Sequence, residues 1–208
     1  EVTGPYRPDA DHAGRRALRN VCLGYLSAAP GEEGIALAAE QFRMADNMTD
    51  SIAALSVLSN IDCPERREAL DAFHERWKDD HLAMDKWFSI QAMSSLPGTL
   101  DEVKRLTGHP AFTMKNPNKV RALITSFAAV NQLHFHAKDG AGYRFIADKV
   151  LELDKLNPQV GARMLGAFKS WRQMEPKRRK LMQKELKRIA GTEGLSRDVY
   201  EIATKTLA

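Results

Sequence analysis

Asn116-Pro117-Asn118-Lys119-Val120-Arg121 reads as the opening of a helix. Asn116 can accept backbone N–H bonds as a cap, Pro117 suits the first helical position where its missing donor costs nothing, and Val120, Leu123, Ile124 and Phe127 then recur at helical spacing. The same device returns 41 residues on, at Asn157-Pro158-Gln159, followed by Val160, Met164, Leu165 and Phe168. That interval falls in the roughly 40–47-residue period of HEAT and armadillo repeats. Arg121 and Arg163 each stand just inside a helix start. With the two helices side by side, both guanidinium groups and Gln159 would share one rim beside two positive helix ends, a setting for a carboxylate or a peptide carbonyl. The alternative is that each arginine pairs with a neighbouring Asp or Glu.

Outward from this pair the pattern stays helical. Residues 1–9, with Pro5 and Pro8, read as a linker or arm, and 10–208 as the domain proper. The spacing predicts a helix from Asp11 with Leu18, Val21, Cys22 and Tyr25 on one face, stopping at Pro30-Gly31. Further helices follow over Glu32–Ala45, after Asn47, after Pro64 (Leu70, Phe73, Trp77) and through Leu82, Trp87 and Ile90. Thr99 with Glu102 reads as a capping box. Helices are also expected near Asp139, at Pro176 with a stop at Gly191, and after Ser196. No window alternates as a strand does. The expected fold is all-α, about eleven short antiparallel helices stacked as a HEAT/armadillo-like superhelical array.

With 43% apolar and 28% charged residues and a net charge of +4, the 208-residue chain can bury a core and shows no low-complexity stretch. No apolar run approaches the roughly 20 residues of a membrane span, so a soluble domain, with no membrane partner, is expected. Cys22 and Cys63 form neither a disulfide framework nor a zinc ribbon and read as free buried thiols of a reducing compartment.

Several chemistries are excluded or disfavoured by residue type. His74-Glu75-Arg76-Trp77-Lys78 starts like the HExxH zinc helix, but Lys78 replaces the second histidine, and His81 is two turns from His74. His134-Phe135-His136 falls at a helix end, where imidazoles commonly meet terminal carbonyls. No P-loop, GxGxxG or GxSxG is present. Between Lys169 and Arg188 nine basic residues face two acidic ones, an RNA or phosphate footprint in principle. With no aromatic platform interleaved with these residues, a solvated helix face is the preferred reading, and no nucleic-acid partner is expected.

Taken together, Asn116–Arg121, Phe135-His136-Ala137-Lys138-Asp139-Gly140-Ala141-Gly142-Tyr143, Asn157-Pro158-Gln159-Val160-Gly161-Ala162-Arg163, Leu195-Ser196-Arg197-Asp198-Val199-Tyr200-Glu201-Ile202 and the earlier Asp46-Asn47-Met48-Thr49-Asp50 resemble the C-terminal helical domain of the bacterial aminopeptidase N family, of the M1 class of zinc metallopeptidases. The likeness runs from about Asp11 to Ala208. It implies a non-catalytic domain, since the family's HExxH and GxMEN motifs belong to another domain and neither is here. No cofactor is expected in this chain, and zinc is expected in the missing catalytic domain. The resemblance further implies a cytoplasmic enzyme in which this domain caps the active-site cavity and limits access to short peptides. Arg121, Gln159 and Arg163 match the residues that touch peptide substrate there. The expected partners are then the catalytic and other domains of the same enzyme, together with peptide substrate. An independent α-solenoid scaffold for protein partners is the alternative.

Overall fold

The computed structural model describes residues 6–28 and 31–208. Among them every regular element is helical, as the absence of alternating patterns requires. Pro5 and Pro30, on which the expected arm and the first helix stop partly rest, lie outside the described residues. The chain divides into two compact units, residues 1–90 and 91–208.

In the first unit α1 (Ala10–Ala28), α2 (Glu32–Met44) and α3 (Met48–Leu58) pack mutually, and α4 (Pro64–Trp77) packs on α2 and α3. Asp50 ties the first three together. Its side chain is almost wholly buried and pairs with Arg19 of α1, accepts from the Asn20 amide at 3.0 Å, and accepts from Asn47 Nδ2 at 2.7 Å. Asn47 in turn caps α3 by accepting the Asp50 N–H, and Gln41 of α2 donates to the Asp50 carbonyl at 3.1 Å. These bonds also occupy the Asn47 side-chain amide. A buried carboxylate is tolerated only with such partners.

Residues 6 and 7 are tied to the helices: the Tyr6 backbone N–H donates to Asp46 at 3.0 Å, and the buried Arg16 donates to the Arg7 carbonyl while lying over the Tyr6 ring. Phe73 and Leu70 of α4 are buried as their spacing demands, and Trp87 of α5 (His81–Ala92) donates to the Leu70 carbonyl at 2.9 Å. The expected inward face of α1 is turned out, however: Leu18, Val21 and Tyr25 are 66%, 56% and 78% exposed, whereas Leu23 is buried. Cys22 is exposed too, and Leu82 of α5 lies outside the core.

The second unit contains α6 (Thr99–Leu106), α7 (Pro117–Val120), α8 (Ser126–Val130), α9 (Gln132–Phe135), α10 (Ala141–Leu156), α11 (Pro158–Met164), α12 (Pro176–Ala190) and α13 (Arg197–Leu207). Packing follows chain order, α8 on α9, α9 on α10, α10 on α11 and α12, and α13 on α11 and α12, as in helical repeats. The core is an edge-on aromatic cluster: Phe135 meets Phe127 at 6.5 Å, Tyr143 at 5.2 Å and Phe168 at 5.9 Å between ring centres.

Polar side chains fix the connections. Asn131 donates to the Ala92 and Ser94 carbonyls at 2.9 and 2.8 Å and accepts the His134 N–H, while Asp154 of α10 accepts from both the amide and hydroxyl of Ser196, the cap of α13. Trp171 and Arg172 donate to the last carbonyls of α13, at Thr206 and Leu207. The expected Thr99 capping box does not form. Gly98, at φ 83°, takes the cap position and Thr99 instead donates its hydroxyl to the Leu96 and Ser94 carbonyls, since only glycine enters the left-handed conformation cheaply.

Two substitutions probe these contacts. Asp50→Ala leaves Arg19 and Asn20 without this acceptor and Asn47 with only Asp46, and is expected to cost about 1–3 kcal/mol in urea unfolding. A Cβ at Gly142 would stand 2.5 Å from the Phe135 carbonyl oxygen and 2.8 Å from its Cα, both backbone. Gly142→Ala is therefore expected to lower stability by at least about 1–3 kcal/mol through overpacking, read as a lowered Tm.

Candidate functional site

Both asparagine-proline entrances form as their chemistry dictates. Asn116 Oδ1 accepts the Asn118 N–H at 2.9 Å, Asn157 Oδ1 accepts the Val160 N–H at 3.3 Å, and each proline occupies the first turn. Of the two cations in Asn116–Arg121, Lys119 is buried and Arg121 is exposed. The Arg121 guanidinium is held by the Asn118 side-chain carbonyl, with no carboxylate on it among the described residues. Directly after α7 the backbone widens into one π-helical turn, Arg121–Thr125, where the Ser126 hydroxyl donates to the Arg121 carbonyl at 3.1 Å. Such turns recur at functional sites, and no sequence signal announced this one.

Gln159 and Arg163 lie four residues apart on α11, both exposed, and neither makes a side-chain hydrogen bond or ion pair to the described residues. They therefore share one helix face. The alternative that each arginine is consumed by a nearby acid is not what the described side chains do. One part of the expectation is corrected: α11 ends at Met164, so Arg163 sits in its last turn, where a cation is favoured rather than opposed by the helix dipole. No hydrogen bond joins Arg121 to Gln159 or Arg163. What links the two entrances is the core beneath them, since Phe127, downstream of Arg121, and Phe168, downstream of Arg163, both meet Phe135.

The other clusters have structural occupations. His74 stacks on Trp87 at 5.1 Å, and Glu75 pairs with Lys78. His134 meets the Ser95 carbonyl, and His136 Nδ1 pairs with the Tyr143 hydroxyl at 2.7 Å. Among the described residues no three His, Cys, Asp or Glu side chains could hold a metal ion. The basic stretch is partly spent on structure: Arg178 donates to the His136 carbonyl, Arg188 pairs with Asp148 and Glu185, and Arg172 closes α13. No helix of the described residues is long and apolar enough to cross a membrane.

Comparison with known proteins gives the family of the chain. The family model for "Domain of unknown function (DUF3458_C) ARM repeats" matches residues 1–208. The chain belongs to this family of ARM-repeat domains. Aminopeptidase N of Caulobacter vibrioides is 41% identical over 207 residues, which are 100% of this chain and 24% of that protein. Aminopeptidase N of Escherichia coli K12 is 38% identical over 98% of this chain and 23% of its own. A crystal structure of Legionella pneumophila aminopeptidase A in complex with aspartic acid superposes with a TM-score of 0.91 at 37% identity, covering 99% of this chain and 25% of that one. The DUF3458_C chain thus spans about a quarter of the length of the relatives it matches, as their C-terminal portion, and the resemblance drawn from its motifs holds.

Burial holds the His136 imidazole below its ordinary pKa, with the nearby Arg178 charge adding to the effect, and pushes Tyr143 up to about 12. A histidine whose folded pKa is depressed adds stability that is complete above the unfolded value and fades as pH falls below about 6.5. Urea midpoints are accordingly expected to fall between pH 7.5 and 5.5, and to fall less in His136→Asn, provided that variant keeps its fold by circular dichroism.

Proposed function

We propose that this chain is a non-catalytic C-terminal domain that closes over the substrate cavity of a cytoplasmic zinc aminopeptidase and limits entry to short peptides. Its partners are the remaining domains of the same enzyme, which bring the zinc. Arg121 and Arg163 would give charge-assisted hydrogen bonds to peptide carbonyls or the terminal carboxylate, and Gln159 a neutral one.

The observation that carries this reading is that Arg121 and Arg163 are exposed and bear no carboxylate among the described residues, in a chain homologous to aminopeptidase C-terminal portions. An exposed guanidinium with no carboxylate on it is available to a ligand. Asn118 would act as a positioning residue that aims Arg121.

In the complete enzyme, Arg121→Ala or Arg163→Ala is expected to lower kcat/KM for dipeptides and longer peptides by about 10–150-fold, the equivalent of one desolvated charged bond of about 1.5–3 kcal/mol. An amino-acid arylamide, which has no residues beyond the scissile bond, is expected to lose much less. Equal rates for wild type and both variants on every substrate would remove the assigned roles.

A further inference from the structure

The arginines and the lysines of α12 are used differently. Arg178 donates to the His136 carbonyl and pairs with Glu175, Arg179 donates to the Met174 carbonyl at 3.2 Å, and Arg188 is shared by Glu185 and Asp148. Lys177, Lys180, Lys184 and Lys187 are all exposed, and none of their ammonium groups has a hydrogen bond or ion pair among the described residues. The four stand at i, i+3, i+7 and i+10, which sets them in one row along the helix, opposite the buried Met182, Leu186 and Ile189.

Each lysine of the row is followed one turn on by the next. Like charges at that spacing repel, and a helix face that merely meets water usually relieves the repulsion by alternating acids with bases. Here the two acids of the stretch are taken elsewhere. Glu175 caps α12 by accepting the Lys177 and Arg178 N–H groups, and Glu185 is buried against Arg188. The excess extends to the whole second unit: residues 91–208 carry 21 Lys and Arg against 11 Asp and Glu, whereas residues 1–90 carry 10 against 16.

The outer side of α12 has no exposed apolar side chain to enter a bilayer and no aromatic ring on which a base could stack. Its lysines rise along the axis by about 4.5, 6 and 4.5 Å in turn, at 1.5 Å per residue. The phosphates of a nucleic-acid strand recur instead at one even interval. A second helix with carboxylates at the same positions matches all four cations at once. The intervals read alike in both directions, so either orientation of that helix fits.

We propose that the outer face of α12 docks an acidic helix of a partner protein, with Asp or Glu at i, i+3, i+7 and i+10 opposite Lys177, Lys180, Lys184 and Lys187. Exposed point charges without an apolar anchor make this a fast, salt-sensitive contact. It does not rest on the cavity reading, and inert Arg121 and Arg163 variants would leave it untouched.

The probe is a fluorescent, N-acetylated, stapled alanine-rich helix with four glutamates at those intervals, titrated with the complete enzyme. At about 25 mM salt it is expected to bind at least about tenfold more tightly than a peptide of the same composition with its glutamates spread round the helix, and to weaken at least about tenfold by about 150 mM. The double variant Lys180→Glu/Lys184→Glu, at two exposed side chains, is expected to remove this preference with its circular dichroism unchanged. Equal affinity for the two peptides, or undiminished binding by the double variant, would overturn the proposal. Preference for duplex DNA or phosphatidylglycerol vesicles over the matched peptide would give the face to another class of anion. Self-association at low salt that the double variant abolishes would give it to a second copy, and either result overturns the proposal equally.

Discussion

The unit bearing the candidate site depends on the edge-to-face packing around Phe135. That ring contacts Phe127, Tyr143 and Phe168, which arise from three different stretches of chain, so one side chain fixes α8, α10 and the turn after α11 relative to one another. Rings at edge-on angles resist sliding because each hydrogen rim addresses a neighbour's face. Gly142 lets α10 approach the Phe135 backbone closely enough for this to happen. The two asparagine-proline entrances inherit their positions from that cluster.

The first unit is held differently. Its helices are shorter on aromatic contacts and rely on a polar knot at Asp50, where a carboxylate, two asparagines, a glutamine and an arginine complete one another. Directional bonds of this kind specify one arrangement of α1, α2 and α3, at the cost of being sensitive to loss of any member. They leave the opposite side of α1 uninvolved and available.

Local chemistry was the legible part of the sequence. Asn116, Asn157 and Ser196 cap because a short polar side chain before a helix reaches an otherwise unpaired backbone N–H of the first turn, and Pro117, Pro158 and Pro176 mark first turns because the N–H they lack has no partner there anyway. Periodicity is silent about what an apolar stripe faces, and so the α1 stripe was expected inside and lies outside. Thr99 lost its cap position to Gly98 because a left-handed turn one residue earlier is decided by the path of the loop, not by the box motif. Arg121, Gln159 and Arg163 were identifiable as polar groups downstream of helix-opening asparagine-proline pairs. That Arg163 ends its α-helix, and that Arg121 begins a π turn, depend on backbone adjustments with no residue signature.

The widened turn at Arg121–Thr125 has a geometric effect on the residues before it. An α-helix advances about 100° per residue, so accommodating one additional residue in a single turn rotates everything upstream by about that angle relative to everything downstream. Phe127 can keep its orientation toward Phe135 while Asn118 and Arg121 swing to a different compass point, decoupling where the helix is anchored from where its mouth is aimed.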